Sequence, residues 1–152
     1  MRKFLFLGSA QRFADFTLLL LRLFVGLFLV WGVWDDVSSS EHMHQYAQFL
    51  GKHGFPSPGL LAPLSAFLQL AIGVCFILGL FTRWAGLLCA IHFCIAIAMV
   101  DHSGGMRGIF PAGCLVVIGL FLGTHGAGRW SADAALRANE VPRAVGSVRL
   151  KK

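Results

Sequence analysis

The chain has 152 residues, of which 57% are hydrophobic and 13% are charged, and its mean hydropathy is +0.72. A soluble domain of this length would carry nearly twice that charged fraction, so the composition excludes an ordinary water-soluble protein. The formal net charge of +6 does not indicate nucleic-acid binding, because the basic residues flank apolar segments and form no patch along the sequence.

Four apolar segments predict four membrane-spanning helices, at roughly residues 16–34, 59–81, 84–100 and 107–123. A helix needs about 20 residues to cross hydrocarbon about 30 Å thick. The last two segments are short, and modest thinning of the bilayer accommodates them. The first three segments contain one charged residue in all, whereas the helices of a soluble bundle would have polar outer faces. We therefore predict an all-α, integral membrane four-helix bundle that forms a single membrane domain over residues 1–152.

The basic residues predict the orientation of the bundle. They precede the first segment, lie between the second and third, and continue in a basic tail at residues 124–152. The opposite side receives Lys52 and Arg107. By the positive-inside rule both termini are cytoplasmic, and the two longer loops face outward. The N-terminal 15 residues are expected on the membrane surface, and the final 20 or so are expected to be partly disordered.

The first outward loop predicts a short amphipathic helix that lies flat on the outer surface of the bundle. Ser38 and Glu41 have the spacing of a capping box, in which each side chain satisfies a free backbone donor of the other residue. Gly51 is suited to end the helix. Four apolar residues fall on one face between them: Met43, Tyr46, Ala47 and Leu50. Further along, Thr82 and Arg83 alone separate the second and third segments, which predicts an antiparallel hairpin.

Three polar residues lie inside the predicted spans, where polar side chains are costly and need a reason to be present. They are Arg22, Gln69 and His92. At a rise of 1.5 Å per residue, Gln69 and His92 fall close to the midpoints of their helices and Arg22 lies about 5 Å from its own. Small residues at helical spacing accompany each of them, and such residues mark helix contacts. The three side chains are therefore predicted to form one polar layer inside the bundle.

Two interpretations of this layer remain open. In the structural one, Arg22 extends to the headgroups while Gln69 and His92 join neighbouring helices by hydrogen bonds. In the functional one, the three residues form a binding site. His92 is the one histidine deep in a span, which argues against a bis-histidine haem. The sequence contains no motif for a nucleotide, a covalent cofactor or a catalytic metal, so no metal site is predicted.

Several sequence features together resemble the DoxX family of small four-span bacterial membrane proteins. The resemblance covers about residues 16–136, and its most specific parts are a Gly-Leu-Phe-Thr-Arg hairpin and a Gly-x-Gly-Arg-aromatic-Ser-x-Asp tail. The matching segments are Leu20-Leu21-Arg22-Leu23, Trp31-Gly32, Phe49-Leu50, Gly54-Phe55-Pro56, Gly79-Leu80-Phe81-Thr82-Arg83 and Gly126-Ala127-Gly128-Arg129-Trp130-Ser131-Ala132-Asp133. The resemblance implies a place in the bacterial cytoplasmic (inner) membrane. It also implies a link to quinone-dependent oxidation, since the family is named for a component associated with archaeal thiosulfate:quinone oxidoreductase.

The chain departs from this family pattern at two places. Many members have His-Gly followed three residues later by Lys at the outer end of the first span, where this chain has Trp31-Gly32-Val33-Trp34-Asp35. Many members also have Glu in the middle of the second span, where this chain has Gln69. Both departures remove ionisable groups, which weakens the case for a proton-coupled mechanism by analogy with the family. Membership of a fold does not by itself establish a function.

Two functional hypotheses follow from the sequence. The first is an accessory membrane subunit of a quinone-linked redox system: a quinone ring contacts Trp31 and Trp34, the polar layer binds its carbonyls, and a partner oxidoreductase subunit supplies the electrons. If the protein takes part in catalysis, it does so as such a subunit and not as a complete enzyme. The second is a non-enzymatic anchor or assembly factor that docks a soluble partner through its basic tail or its outward loops. The outward candidates are Asp35, Asp36, Asp101 and His102. A transport role is disfavoured, because four short helices leave little room for a gated path unless the chain forms an oligomer.

Overall fold

The computed structural model describes residues 13–100 and 105–140, and this part of the chain is all α-helical, without a strand. The helices are α1 (Ala14–Ser38), α2 (Ser40–Lys52), α3 (Pro58–Leu78), α4 (Thr82–Met99), α5 (Gly105–His125) and α6 (Ala132–Glu140). Among them, α1, α3, α4 and α5 are long and apolar enough to cross a membrane. The predicted multi-pass, four-helix architecture is confirmed. The expectations for residues 1–12, for Asp101 and His102 and for residues 141–152 lie outside the described residues.

The turn between α3 and α4 lies about three residues earlier than the sequence predicted. Gly79 adopts a φ of 66°, and the backbone N–H groups of Gly79 and Leu80 donate to the carbonyls of Phe76 and Cys75 at 3.3 and 3.0 Å. This pair of hydrogen bonds is a Schellman motif, which ends a helix at a residue with left-handed backbone. Thr82 therefore begins α4 and is not part of the connection.

The amphipathic helix α2 is confirmed, but the predicted capping box is wrong. Ser38 still belongs to α1, and its hydroxyl donates to the carbonyl of Asp35 at 3.3 Å. Ser39 occupies the N-cap position of α2, and its side chain makes no capping hydrogen bond. The spacing of Ser38 and Glu41 predicted the wrong N-cap because α1 continues one turn beyond its apolar segment and includes Ser38. Gly51 also lies inside α2, which ends at Lys52.

The spanning helices form two tight pairs, and each pair is held by glycines. A Cβ atom on Gly26 of α1 would lie 2.8 Å from the carbonyl oxygen of Gly73 on α3. A Cβ atom on Gly119 of α5 would likewise lie 2.7 Å from the carbonyl oxygen of Gly86 on α4. Backbones approach this closely only where side chains are absent, as expected for helix contacts in a membrane.

The core cluster that includes Phe76, Cys89 and Leu122 lies toward one end of the bundle. We call this the tail end because α6 and the α3–α4 turn are there. The opposite end, where α2 packs on α3, we call the far end. In α4 the buried residues run from Thr82 to Ala90, and from Ile91 onward its side chains are half-buried or exposed. The far half of α4 is therefore less buried, and an apolar cavity lies beside it.

Candidate functional site

Arg22 lies at the tail end of the bundle, where the chain after α5 covers it. Its side chain is 1% exposed, and its Nη1 and Nη2 atoms donate to the carbonyls of Ala127 and Trp130, both at 2.8 Å. The segment that supplies these carbonyls bends through Gly126 and Gly128, at φ of 91° and 75°. A positive φ is easily adopted by glycine and rarely by other residues. The predicted extension of Arg22 to the headgroups is wrong, because backbone carbonyls inside the protein bind its charge.

Two carboxylates hold the same segment against the bundle. Asp133 accepts hydrogen bonds from the backbone N–H groups of Phe81 and Thr82 at 2.8 and 3.0 Å. These two N–H groups lie at the start of α4, where no carbonyl of the helix can accept them. Asp15 accepts a hydrogen bond from the backbone N–H of Arg129 at 3.2 Å. We call residues 126–133, with these attachments, the tail clasp. It explains the Gly-x-Gly-Arg-aromatic-Ser-x-Asp pattern, to which the sequence alone gave no structural role.

Gln69 joins α3 to α1. Its Nε2 atom donates to the carbonyl of Leu29 at 3.2 Å, and the side chain is half-buried. Leu29 is seven residues beyond Arg22, or roughly 10 Å along α1. Gln69 therefore makes the interhelical hydrogen bond of the structural interpretation, but with a backbone carbonyl and not with His92.

The three intramembrane polar residues are thus held apart, and the single polar layer does not form. Arg22 binds the tail clasp, Gln69 binds the backbone of α1, and His92 faces a cavity at the far end. Counting residues from each helix midpoint gave similar depths, but it could not show which backbone acceptors would lie nearest to each side chain. A binding role for His92 remains a prediction, and so does one for Gln69 or Arg22.

His92 lies on the wall of an apolar cavity of about 400 Å³ between α2, α3 and α4. Exposed Leu64 and Ile95 are part of the wall, so the cavity opens at the bundle surface. The lining residues are Tyr46, Phe49, Leu50, Phe55, Leu61, Leu64, Ser65, Leu68, His92, Ile95, Ala96 and Val100. A mostly apolar cavity of this size with a few polar groups is typical of a small-molecule site.

The polar groups of this cavity come from three helices. The hydroxyls of Tyr46 on α2 and Ser65 on α3 are hydrogen-bonded at 2.9 Å. On α4, the His92 ring contacts the edge of Phe93 with ring centroids 5.0 Å apart. Within residues 13–100 and 105–140, neither ring nitrogen of His92 has a hydrogen-bond partner. The cavity wall therefore includes an imidazole without a hydrogen-bond partner in the described part of the chain and a pair of hydrogen-bonded hydroxyls. Sequence reasoning missed Tyr46 and Ser65, although Tyr46 is the single tyrosine of the chain and lies on the apolar face of α2.

The remaining predicted site residues lie elsewhere. Trp31 and Trp34 are 80% and 56% exposed on the outer surface of α1 and do not line the cavity of His92. Asp35 and Asp36 lie in the last turn of α1 at the far end, where Asp35 is exposed and Asp36 half-buried. The structure does not bring these residues together with His92, so their predicted roles remain untested.

Comparison with known proteins identifies the family. A family model for DoxX matches residues 17–102, which is more than half of the chain. The match includes α1 from residue 17 onward and all of α2 to α4, and therefore every lining residue of the His92 cavity, whereas residues 126–133 lie beyond it. Neither the curated proteins nor the solved structures include a match to this chain. On the family match and the four apolar helices, the chain is a multi-pass membrane protein that belongs to the DoxX family.

Proposed function

We propose that this protein is an accessory membrane subunit of a quinone-linked redox system in the bacterial cytoplasmic membrane, and that the cavity at the far end binds the quinone ring. The observation that carries the proposal is the cavity itself: about 400 Å³ of mostly apolar space that opens at the bundle surface, with His92 on its wall.

The walls of the cavity suit a flat lipophilic ring. Aromatic and aliphatic side chains form most of the lining, and burial of apolar surface contributes about 25 cal/mol per Å². Leu64 on α3 and Ile95 on α4 are 60% and 49% exposed on helices that face lipid. A ring with an isoprenoid tail would therefore enter sideways from the bilayer between these two residues and leave its tail among the lipids.

The polar groups suit the carbonyls of the ring. The imidazole of His92 comes from α4, and the hydroxyls of Tyr46 and Ser65 come from α2 and α3. Donors on different helices suit a ligand with two separated acceptors better than a ligand with one. Histidine also exchanges protons near neutral pH, which reduction of a quinone to a quinol requires. The electrons would come from a partner oxidoreductase, because the sequence contains no cofactor-binding motif.

The orientation that completes the proposal has both termini in the cytoplasm. Arg83, Arg129 and Arg137 lie around the tail end, as the positive-inside rule expects for the cytoplasmic side. The quinone cavity would then lie in the outer half of the membrane. Fusion of a cytoplasm-active reporter and a periplasm-active reporter to the C-terminus tests this orientation, and activity of the periplasmic fusion alone would contradict it.

Quinone binding is tested with purified full-length protein in neutral detergent. We expect His92→Ala to weaken binding of a short-chain ubiquinone analogue by about fivefold, because a hydrogen bond in an apolar site contributes about 1 kcal/mol. Binding is measured by equilibrium dialysis, and quinone that copurifies is measured by extraction and chromatography. His44→Ala is the matched control, because His44 is exposed on α2 and does not line the cavity. Equal affinity of the wild type and the His92→Ala variant, together with a quinone-free preparation, would contradict the proposal.

The anchor hypothesis remains the second candidate because α6 has an unpartnered apolar residue beside a charged one. Leu136 is 54% exposed, and Arg137 next to it is also exposed. An anchor would bind its partner through α6, and substitution of His92 would not change that binding. Loss of partner capture in a Leu136→Asp variant, with capture intact in His92→Ala, would favour the anchor over the quinone subunit.

A further inference from the structure

A second cavity, of about 380 Å³, lies at the tail end and is polar. The tail clasp forms one wall, and the beginning of α4 and the end of α5 form another. Its charged and titratable lining residues are Asp15, Arg83, His125, Arg129, Asp133 and Arg137. The quinone proposal does not use this space.

The arginines of this cavity outnumber the carboxylates, and the carboxylates are already engaged. Both carboxylate oxygens of Asp133 accept backbone N–H groups at the start of α4, and Asp15 accepts the backbone N–H of Arg129. Within the described part of the chain, none of the three guanidinium groups forms an ion pair. The cavity therefore presents three unpaired cations, and its two acidic groups are bound to backbone.

The guanidinium of Arg83 lies against the tail clasp. A Cβ atom on Gly126 would lie 3.3 Å from Nε and 3.7 Å from Nη2 of Arg83. Gly126 has a φ of 91°, a conformation that suits glycine. Because Gly126 has no side chain, the backbone at this position can approach the side chain of Arg83 closely. The clasp that holds Arg22 thus also forms the floor under Arg83.

Exposed aromatic side chains surround the end of the bundle that holds this cavity. Phe81, Trp84 and Trp130 are 63%, 70% and 60% exposed around the same end of the bundle. Exposed aromatic side chains at the ends of membrane helices lie at the interface between hydrocarbon and headgroups. A ligand of this cavity would therefore be found at the membrane surface.

We propose that the tail-end cavity binds a phosphate-bearing anion, with the headgroup of an anionic phospholipid as its source. Guanidinium groups bind phosphate oxygens through paired N–H donors. Basic pockets at the cytoplasmic ends of membrane helices suit anionic headgroups. Arg83 on α4 and Arg137 on α6 would bind the same phosphate and would join the tail to the bundle through the lipid. This site shares with the proposed function the cytoplasmic orientation of the tail end, but it does not depend on quinone binding, and either ligand can fail without the other.

The test uses full-length protein in neutral detergent, with phosphatidylglycerol as the probe and phosphatidylcholine as the zwitterionic comparison. Bound lipid is counted by native mass spectrometry. We expect Arg83→Gln and Arg137→Gln each to weaken phosphatidylglycerol binding by about tenfold, the effect of losing one charge-assisted hydrogen-bonded contact. Arg107→Gln is the matched control, because Arg107 is an exposed arginine near the start of α5, at the other end of that helix from the cavity. Both cavity arginines are exposed, so these variants are expected to fold, and thermal unfolding verifies this.

Competition with inorganic phosphate separates the two sources of the anion. Retention of phosphatidylglycerol in excess phosphate, with loss in both cavity variants, supports a lipid site. Displacement by phosphate at millimolar concentration supports a site for the phosphate group itself and assigns the cavity to a soluble phosphate. Equal binding of phosphatidylglycerol and phosphatidylcholine, or equal loss in the Arg107→Gln control, overturns the proposal.

Discussion

The guanidinium of Arg22 fills the space that a side chain on Gly79 would occupy. A Cβ atom on Gly79 would collide with Nη1 of Arg22 and would lie 2.7 Å from Cβ of Ser131. The arginine of the first span therefore fits only because the α3–α4 turn has no side chain at this position. Arg22 and Gly79 are far apart in the sequence but in contact in the structure, and residues of the tail clasp contact both of them.

Gly79→Ala is expected to lower the free energy of unfolding by about 3 kcal/mol, from backbone strain of about 1 kcal/mol and from displacement of the hydrogen-bonded arginine. Unfolding is measured by titration with sodium dodecyl sulfate in mixed micelles. Gly54→Ala is the control, because Gly54 also has a positive φ, of 77°, but has open space around it. Equal effects of the two substitutions would show that the collision with Arg22 has no energetic consequence.

Arg22→Gln is expected to release the tail clasp. Two hydrogen bonds of 2.8 Å to Ala127 and Trp130 are lost or weakened, and each contributes about 1 to 1.5 kcal/mol. Loss of both should therefore let trypsin cleave after Arg129 roughly 30- to 150-fold faster, since cleavage follows the population of the open state. The rate is measured by mass spectrometry of timed digests. Arg107→Gln should leave it unchanged, and an unchanged rate in Arg22→Gln would mean that other contacts hold the clasp.

Asp133→Asn is expected to destabilise the protein by about 1 to 2 kcal/mol, because one of its two capping hydrogen bonds and the negative charge at a helix N-terminus are lost. Asp15→Asn should cost less, because an amide oxygen can still accept the single hydrogen bond from Arg129. The order of the two variants in a thermal unfolding assay checks this prediction. A larger effect at Asp15 would reverse the roles given to the two carboxylates.

Gly119→Ala is expected to separate α4 from α5 and to cost about 2 kcal/mol, as overpacking of a close contact does. The added Cβ atom would lie 2.7 Å from the carbonyl oxygen of Gly86 and 2.9 Å from the backbone nitrogen of Ala90. Gly113→Ala, on the same helix and with open space around it, should be neutral or slightly stabilising. Both are compared by unfolding in mixed micelles, where equal stability of the two variants would refute the close approach.

Tyr46→Phe and Ser65→Ala are expected to lower stability by about 1 kcal/mol each, because they remove the two ends of one hydrogen bond between α2 and α3. The double variant should be only slightly worse than either single variant, and a double-mutant cycle measures this coupling. Fully additive losses would show that the hydroxyls act separately.

The sequence predicted the spans and their close contacts because these depend on composition and helical spacing. Gly26 and Gly73 are among the small residues at helical spacing from Arg22 and Gln69, and they meet across α1 and α3. The sites could not be predicted to the same extent. Arg22 binds carbonyls 105 and 108 residues away, and a backbone carbonyl has no signature in a sequence. The sequence points to His92 by its depth in an apolar span, but the cavity on which it lies depends on how α2 packs against α3, which periodicity does not specify.

The tail clasp also sets the order in which the protein can be completed during synthesis. Arg22 is made about 105 residues before its acceptor at Ala127, and a ribosome adds roughly 5 to 20 residues per second. For roughly 5 to 20 s the first span therefore contains a charge without its acceptors, a state that is costly in hydrocarbon. Any chain that stops before residue 127 stays in that state, so an exposed arginine in the first span distinguishes an unfinished molecule from a finished one.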